Sequence, residues 1–437
     1  MSQPLFAGVA RADITPPVGI AHGNWGAAVH ERAEGIDMPL RATALVFFQG
    51  GVHAAIVDLD LLKLSEDTVD AMRRRITELA GIPGNCGRIS CSHTHSGPTT
   101  STATWIRQGV EMVPVYLAEL VEKVARAVHE AAMSLQPVHL TAGRGTCEVN
   151  VNRRYKLPGG RIIVGQNPEG FVDHDVTVVR VNTLAGAPLA TVVHYACHPT
   201  IMAHTNRKIT PDYPGPLRRV VEAAVGGQCL FLQGAAGNVA SIEDLANDPV
   251  AYRRIGAIIG HEAAKVALSL ETPPGRPELE AVIESGATLG IFRRRREAAA
   301  APKLVVIEET VVLPGAQTRP ATEIEAELRD QTKKVERLRK ESAPERELLE
   351  AIYKARRLSL EYGKVRNIGP DGYVRVPVHL VCIGDIAVLG APVEIFAEIG
   401  AELKRRSPFA VTLVSGYTNG AMGYLPTESA HREGGYE

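Results

Sequence analysis

The sequence predicts an α/β fold: mixed β-sheets covered by helices, a layered α/β sandwich, carrying a helical-hairpin insertion. Three observations predict it. Short runs rich in β-branched residues recur along the chain. Stretches of helical hydrophobic period stand between them, and one segment, 293–364, is dominated by charge.

The strand-like runs are TALVFF at 43–48, AAIVDLDLL at 54–62, VTVVRV at 176–181, ATVVHYA at 190–196, CLFLQG at 229–234, VHLVCIG at 378–384, IAVLGAPV at 386–393 and AVTLVSGY at 410–417. Several are apolar at consecutive positions, as strands covered on both faces are. Between them, 115–135 sets Leu117, Leu120, Val121, Val124 and Val128 on one helical stripe. A second helix is predicted over 248–270, where Asp248 caps and Pro249 occupies the first turn. Within 293–364, residues 322–362 read as two helices broken near Ser342-Ala343-Pro344, with Glu325, Arg329, Lys333, Glu336, Arg337 and Arg339 suiting a solvated face. Such a hairpin serves as a plain surface insertion, a lid or a contact between copies, so a homo-oligomer built through it is one expectation.

Composition narrows the function classes. The 437 residues are 45% hydrophobic and 22% charged with a net charge of −1, so no basic excess points to nucleic acid or an anionic membrane. No apolar run reaches the ~18 residues that span a bilayer. The first residues, MSQPLFAGVARADITPP, show neither a basic n-region nor an apolar core, so a cytoplasmic location is expected. Cys86, Cys91, Cys147, Cys197, Cys229 and Cys382 are scattered with no C-x-x-C pair, which suits reduced buried thiols.

Chemistry gathers at strand ends. In ISCSHTHSGPTT, His93 and His95 stand two apart after a short apolar stretch, and in extended chain residues two apart point the same way. H-x-H is a moderate zinc signal, and two surface histidines are the plain alternative. HYACHPTIMAH adds His194, His198 and His204, of which His198, stiffened by Pro199, sits where a ligand would. His194 reads as a core or supporting residue and His204 as loop. The small-residue loop QGAAGNVAS, 233–241, brings backbone close to a ligand or to packed backbone, but it is neither a phosphate loop nor a nucleophile elbow. Glu394 follows Pro392 at an apparent helix start, where capping is the local reading and metal binding the other. Asp58 and Asp60 in IVDLDLL suit orienting histidines or capping strand ends. Tyr424 and Tyr436 lie in a Gly-rich tail.

Taken in order, GVARADITPP, GIDMPLRATALV, SHTHSGP, VNRRY, CHPTIM, TPDYPG, QGAAGN, APVEIFAEIG and GYLPTE…GGYE resemble the catalytic domain of the neutral, non-lysosomal ceramidases. The resemblance covers nearly all of the chain outside 293–364 and implies a single catalytic domain over 1–437. It implies a zinc ion held by His93, His198, Glu394 and Tyr424. It implies that His95 and Tyr436 face the reacting carbonyl, and that an arginine, Arg153 or its neighbour Arg154, reaches the site. One departure matters: the position of the family's proposed nucleophilic serine is Ala240 here, with Ser241 one residue late.

Two neutral histidines, a carboxylate and a phenol leave a coordination position for water, which zinc would acidify toward about pH 7. The expected activity is hydrolysis of the C–N bond of a small or lipid-like acyl amide by metal-activated water, not necessarily of ceramide. A zinc esterase or lactonase on the same residues is the alternative, followed by a ligand-binding homologue without catalysis. A phosphoesterase would more often show two metals bridged by a carboxylate.

Overall fold

The structure is a computed structural model that describes residues 3–102, 106–271, 275–296, 302–316 and 318–437. Its centre is an eight-stranded sheet. In spatial order the strands are Gln228–Gln233, Pro188–Tyr195, Asp175–Thr183, Gln136–Thr146, Phe6–Asp13, Arg41–Gln49, Val52–Leu59 and Gly87–Cys91. Four helices lie along one face: α1 (Glu66–Ala80), α2 (Val113–Met133), α3 (Pro214–Val225) and α4 (Pro249–Ser269). The other face packs on a four-stranded sheet of Leu304–Pro314, Tyr373–Ile383, Ile386–Gly390 and Val411–Ser415.

Alternation along each strand explains the unbroken apolar runs. Val46 and Val57 face α1 and α2, whereas Leu45 and Ile56 face the second sheet with Val381, Val388 and Leu413. The mixed sheets covered by helices match the predicted fold class. The helix predicted over 248–270 is α4, and the Asp248 side chain accepts from Val250 N as its cap.

The sheet's parallel pairs lie at its two ends, Val52–Leu59 with Gly87–Cys91 and Pro188–Tyr195 with Gln228–Gln233. Parallel neighbours need a crossover, which α1 and α3 supply. The sheet curls until these ends approach one another: Asp58 Oδ2 accepts from Phe231 N across the gap at 2.9 Å. Arg218 of α3 closes the seam, pairing with Asp58 at 2.9 Å and also with Asp60. These aspartates hold the sheet closed. They do not orient the histidines, as the sequence had suggested, because a guanidinium with five donors occupies the carboxylates that would have done so.

Segment 293–364 begins as strand. Leu289–Arg296 pairs with Gly275–Ile283 in an exposed hairpin, and Leu304–Pro314 is the edge of the second sheet. Residues 297–301 lie outside the described residues. The helices are α5 (Ala321–Lys340) and α6 (Glu345–Val365), antiparallel around Val335, Leu338, Ala351 and Ile352, with Ser342 at φ 49° in the turn. Two shorter helices, α7 (Ala397–Arg406) and α8 (Glu428–Glu433), complete the set. Among the described residues, no helix is long and apolar enough to cross a membrane.

Candidate metal centre

The C-terminal ends of the parallel strands meet at one point, the usual place for a ligand in a sheet of this kind. His93 follows Gly87–Cys91, and His198 follows Pro188–Tyr195. His93 is not in extended chain: its φ is 70°, a left-handed conformation that costs a non-glycine residue on the order of 1 kcal/mol or more. The backbone is pinned there by His93 N donating to Leu61 O at 2.9 Å. The alternation that sequence suggested for His93 and His95 is therefore not what aims them.

Backbone carbonyls aim them instead. His93 Nδ1 lies 2.7 Å from Leu62 O, His95 Nδ1 3.1 Å from Asn24 O, and His198 Nδ1 2.6 Å from Ala236 O. A carbonyl only accepts, so each Nδ1 carries the proton and each neutral ring keeps its lone pair on Nε2. The three histidines offer ligand atoms within 4.8 Å of one another. Burial pushes the pKa of His95 down to about 3 and those of His93 and His198 well below the ordinary value; the neighbouring histidines add to the shift for His93, and Arg153 adds to it for His198.

Glu394 joins them from the segment that follows the second sheet's strand Ile386–Gly390. Its Oε2 stands 3.3 Å from His198 Nε2 and 3.7 Å from His93 Nε2. It is not a helix cap: the N-cap of α7 is Phe396, and Glu394 lies in a two-residue parallel bridge that pairs it with Tyr424. The QGAAGNVAS loop brackets these pieces. Its Ala236 and Val239 carbonyls face His198, its Asn238 carbonyl accepts from Arg153 N, and the Asn238 side chain accepts from Ala397 N. Gly237 is required there, because a Cβ would stand 2.6 Å from the Glu394 carbonyl oxygen.

Arg153 Nη2 donates to the Tyr424 hydroxyl at 3.1 Å. The guanidinium also lies 3.4 Å from the carboxylate of Glu437, which Arg154 holds at 2.6 Å. Burial works against the Arg153 charge, but Tyr424, Glu437 and Glu394 outweigh it and raise its pKa. Arg153 is thus the arginine at the site, and Arg154 secures the tail. Tyr436 meets Tyr424 edge-on at 5.7 Å while remaining 43% exposed.

Other sequence candidates fall outside. His194 is a core residue bonded to Val414 O of the second sheet at 2.9 Å. His204 lies near the Trp25 edge at 6.5 Å. Ala240 is fully buried, and Ser241 Oγ accepts from Glu243 N at 3.2 Å. Besides Glu437, two groups that touch the histidines were missed. Tyr417 stacks on His93 at 3.8 Å and points its hydroxyl at Glu394 Oε2 and His198 Nε2, 3.4 Å from each. Trp25 lies against His95 with ring centroids 4.5 Å apart. Tyr417 ends the run AVTLVSGY, where nothing separates a site tyrosine from a packing one; Trp25 sits in a Gly/Ala loop that carries no pattern.

The donor set fits a divalent cation. Tetrahedral zinc with bonds near 2.0–2.1 Å sets its ligand atoms about 3.4 Å apart. The His198–Glu394 and His93–Glu394 separations of 3.3 and 3.7 Å bracket that value. Buried lone pairs facing a carboxylate also repel one another unless a positive charge lies between them.

The sequence matches the model of the neutral/alkaline non-lysosomal ceramidase family, N-terminal region, over residues 6–248. The chain belongs to this family. The match takes in His93, His95, Arg153 and His198, while Glu394, Tyr424 and Tyr436 lie beyond it. A neutral ceramidase of Oryza sativa subsp. japonica is 23% identical over a 301-residue alignment that covers 63% of this chain and 37% of that protein. Neutral ceramidase A of Dictyostelium discoideum is 25% identical over 209 residues, 44% of this chain and 28% of that protein. The chain thus aligns to only 28–37% of these relatives' length. The crystal structure of neutral ceramidase from Pseudomonas aeruginosa superposes with a TM-score of 0.67 at 19% identity, covering 98% of this chain and 69% of that one. That likeness establishes the shared fold.

Proposed function

We propose that this member of the ceramidase family is a zinc-dependent amidohydrolase that cleaves the C–N bond of an acyl amide, with water as the attacking group. The observation that carries the reading is the convergence of His93 Nε2, His198 Nε2 and Glu394 Oε2 from separate segments of chain. These three would hold the ion, with Tyr424 as a more distant fourth ligand. A zinc ion bound there would supply Lewis acidity and make bound water acidic enough to react near neutral pH.

The chain's own groups then have distinct tasks. His95, with its proton held on Nδ1 by the Asn24 carbonyl, turns its Nε2 edge toward the ion and the reacting carbonyl. Its ring lies 5.0 Å from His93 and 6.2 Å from His198, against 4.8 Å between those two, which suits a place beside the ion and the reacting carbonyl. Tyr436, partly exposed, donates its hydroxyl to the oxygen on which charge develops, a contribution of about 3–4 kcal/mol for such a donor. Arg153 anchors a polar end of the substrate and keeps Tyr424 in place. Ala240 offers no hydroxyl at the position of the family's serine, so the reading takes water rather than that residue as the attacking group.

Metal analysis of the purified protein, with turnover assays on a panel of N-acyl amides and matched esters, tests the proposal. One zinc per chain with amide cleavage is the expected result. Cleavage of esters alone would assign an esterase, and a metal-loaded protein inert to the whole panel would leave a ligand-binding homologue.

A further inference from the structure

The loop 20–33 is an excursion that closes on itself, with Ala21 bridged to Arg32 and His22 Nδ1 2.8 Å from His30 Nε2. Its tip lies over the site. Asn24 O takes the His95 Nδ1 proton, Trp25 covers the His95 ring, and Asn24 Nδ2 ties the tip to Gly97 O at 2.9 Å. Just beyond Trp25, Gly26, Ala27 and Val29 are exposed, and of this stretch only Ala28 buries its side chain, a single methyl group.

A further tether comes from the helical hairpin. Arg356 of α6 is 7% exposed, and its Nη1 donates to Gly26 O at 2.7 Å and to Ala28 O at 2.8 Å. The hairpin grips the same loop a second time, Arg339 of α5 meeting Glu31 at 3.3 Å. Glu31 in turn accepts from the backbone N–H of Arg107 and Gln108. A buried guanidinium that gives one nitrogen to two carbonyls flanking a loop tip is an unusual use of charge unless the tip must be held.

We propose that Arg356 is a positioning residue for the His95 side of the site, acting through residues 24–28, and that the charged hairpin α5–α6 is the element that sets this wall. Without Arg356, the Gly26 and Ala28 carbonyls lose their shared donor, the tip moves, and His95 loses the partner that fixes its tautomer together with the indole that covers it. The kinetic consequence rests on the hydrolase reading above; the structural consequence does not.

The test separates the two. The chain has two tryptophans, Trp25 and Trp105, so Trp105→Phe leaves Trp25 as a single reporter. In that background, Arg356→Ala should shift Trp25 emission to the red and raise acrylamide quenching about twofold, with faster hydrogen exchange of amides in 22–30. Metal content should stay at the level of the parent. Where a substrate is known, kcat should fall by about 10²-fold with KM changed far less. Arg356→Lys should restore both readouts to within about threefold, because a single nitrogen makes both bonds. If Arg356→Ala does not fold, Arg356→Met, which keeps the stem and no donor, gives the same comparison. A folded Ala or Met variant with unchanged Trp25 quenching and unchanged exchange overturns the inference, whatever the activity. Turnover of no substrate by the parent protein would sink the hydrolase reading and leave the fluorescence and exchange results to decide this one.

Discussion

Glu394 Oε2 stands 3.3 Å from His198 Nε2, although one follows a strand of the four-stranded sheet and the other a strand of the eight-stranded sheet. The two sheets share a core, so the packing of Leu45 and Ile56 on Val381 and Leu413 is what brings this carboxylate to that imidazole. Replacing His198 by Ala removes one ligand atom and leaves the Glu394 charge facing fewer partners. Zinc affinity should fall by at least about 10²-fold, and activity should disappear with it. Elemental analysis after dialysis checks the first, and turnover of an acyl amide checks the second. Full metal occupancy in His198→Ala would remove this histidine from the ligand set.

Tyr417 is buried and has one polar atom, its hydroxyl, which lies 3.4 Å from Glu394 Oε2. Burial, reinforced by Glu394, raises its pKa well above the ordinary phenol value, so the hydroxyl keeps its proton and donates to the carboxylate. Tyr417→Phe keeps the stack on His93 and deletes that donor. Metal affinity or turnover should fall about 10- to 100-fold, as for other residues that orient a ligand, with the Tm nearly unchanged. Metal titration by calorimetry, with a thermal melt on the same sample, reads both; affinity equal to the parent would make Tyr417 a packing residue only.

The fold class and the histidine cluster were legible because both rest on local signals. Strands covered on two faces are apolar at every position, as CLFLQG is, and histidines placed directly after such strands stand out. Glu394 was ambiguous for a physical reason: its neighbours look like a helix start, and only the parallel bridge to Tyr424 withdraws it from capping. Tyr417, Trp25 and Glu437 were illegible because what marks them is a partner remote in sequence: His93, His95 and Arg154. The strand Leu304–Pro314 was hidden by Glu308 and Glu309 in its middle, and Arg73 of α1 explains that charge by pairing with Glu308 at 2.9 Å. The exposed strands Gly275–Ile283 and Leu289–Arg296 alternate charge with apolar residues too irregularly to announce themselves.

Ser241 is the remaining hydroxyl near the position where the family's serine was expected, and its Oγ is engaged by Glu243 N at 3.2 Å. Its strand, Val239–Ser241, is paired with Asn150–Lys156, so turning Ser241 toward His198 would mean breaking that register. Ser241→Ala should therefore leave the rate within about threefold of the parent, well short of the ~10³-fold or greater loss that follows removal of a true nucleophile. Steady-state kinetics on any cleaved amide decides it. A loss on the larger scale would restore a covalent mechanism.

His22 and His30 form a buried pair at the base of the loop that carries Trp25, with ring centroids 5.0 Å apart. Burial pushes the His22 pKa down to about 4, with His30 adding to the shift. A base whose folded pKa lies below its unfolded value binds its proton more tightly when the chain is unfolded. The contribution of a neutral His22 to stability is therefore complete above about pH 6.5 and is lost as pH falls toward 4, by at most about 1.4 kcal/mol per pH unit. Buried carboxylates with raised pKa act in the opposite direction: burial lifts Asp212 to about 7 and Asp244 to about 6. The slope of the parent alone is for that reason a sum of opposed contributions, and the comparison with His22→Gln isolates the histidine. Urea unfolding of metal-free parent and variant at about pH 7.5 and about pH 5 should show the variant losing less stability over the interval. Equal losses in the two proteins would mean that His22 takes up no proton on unfolding, and the loop base would then owe nothing to the neutral state of this pair.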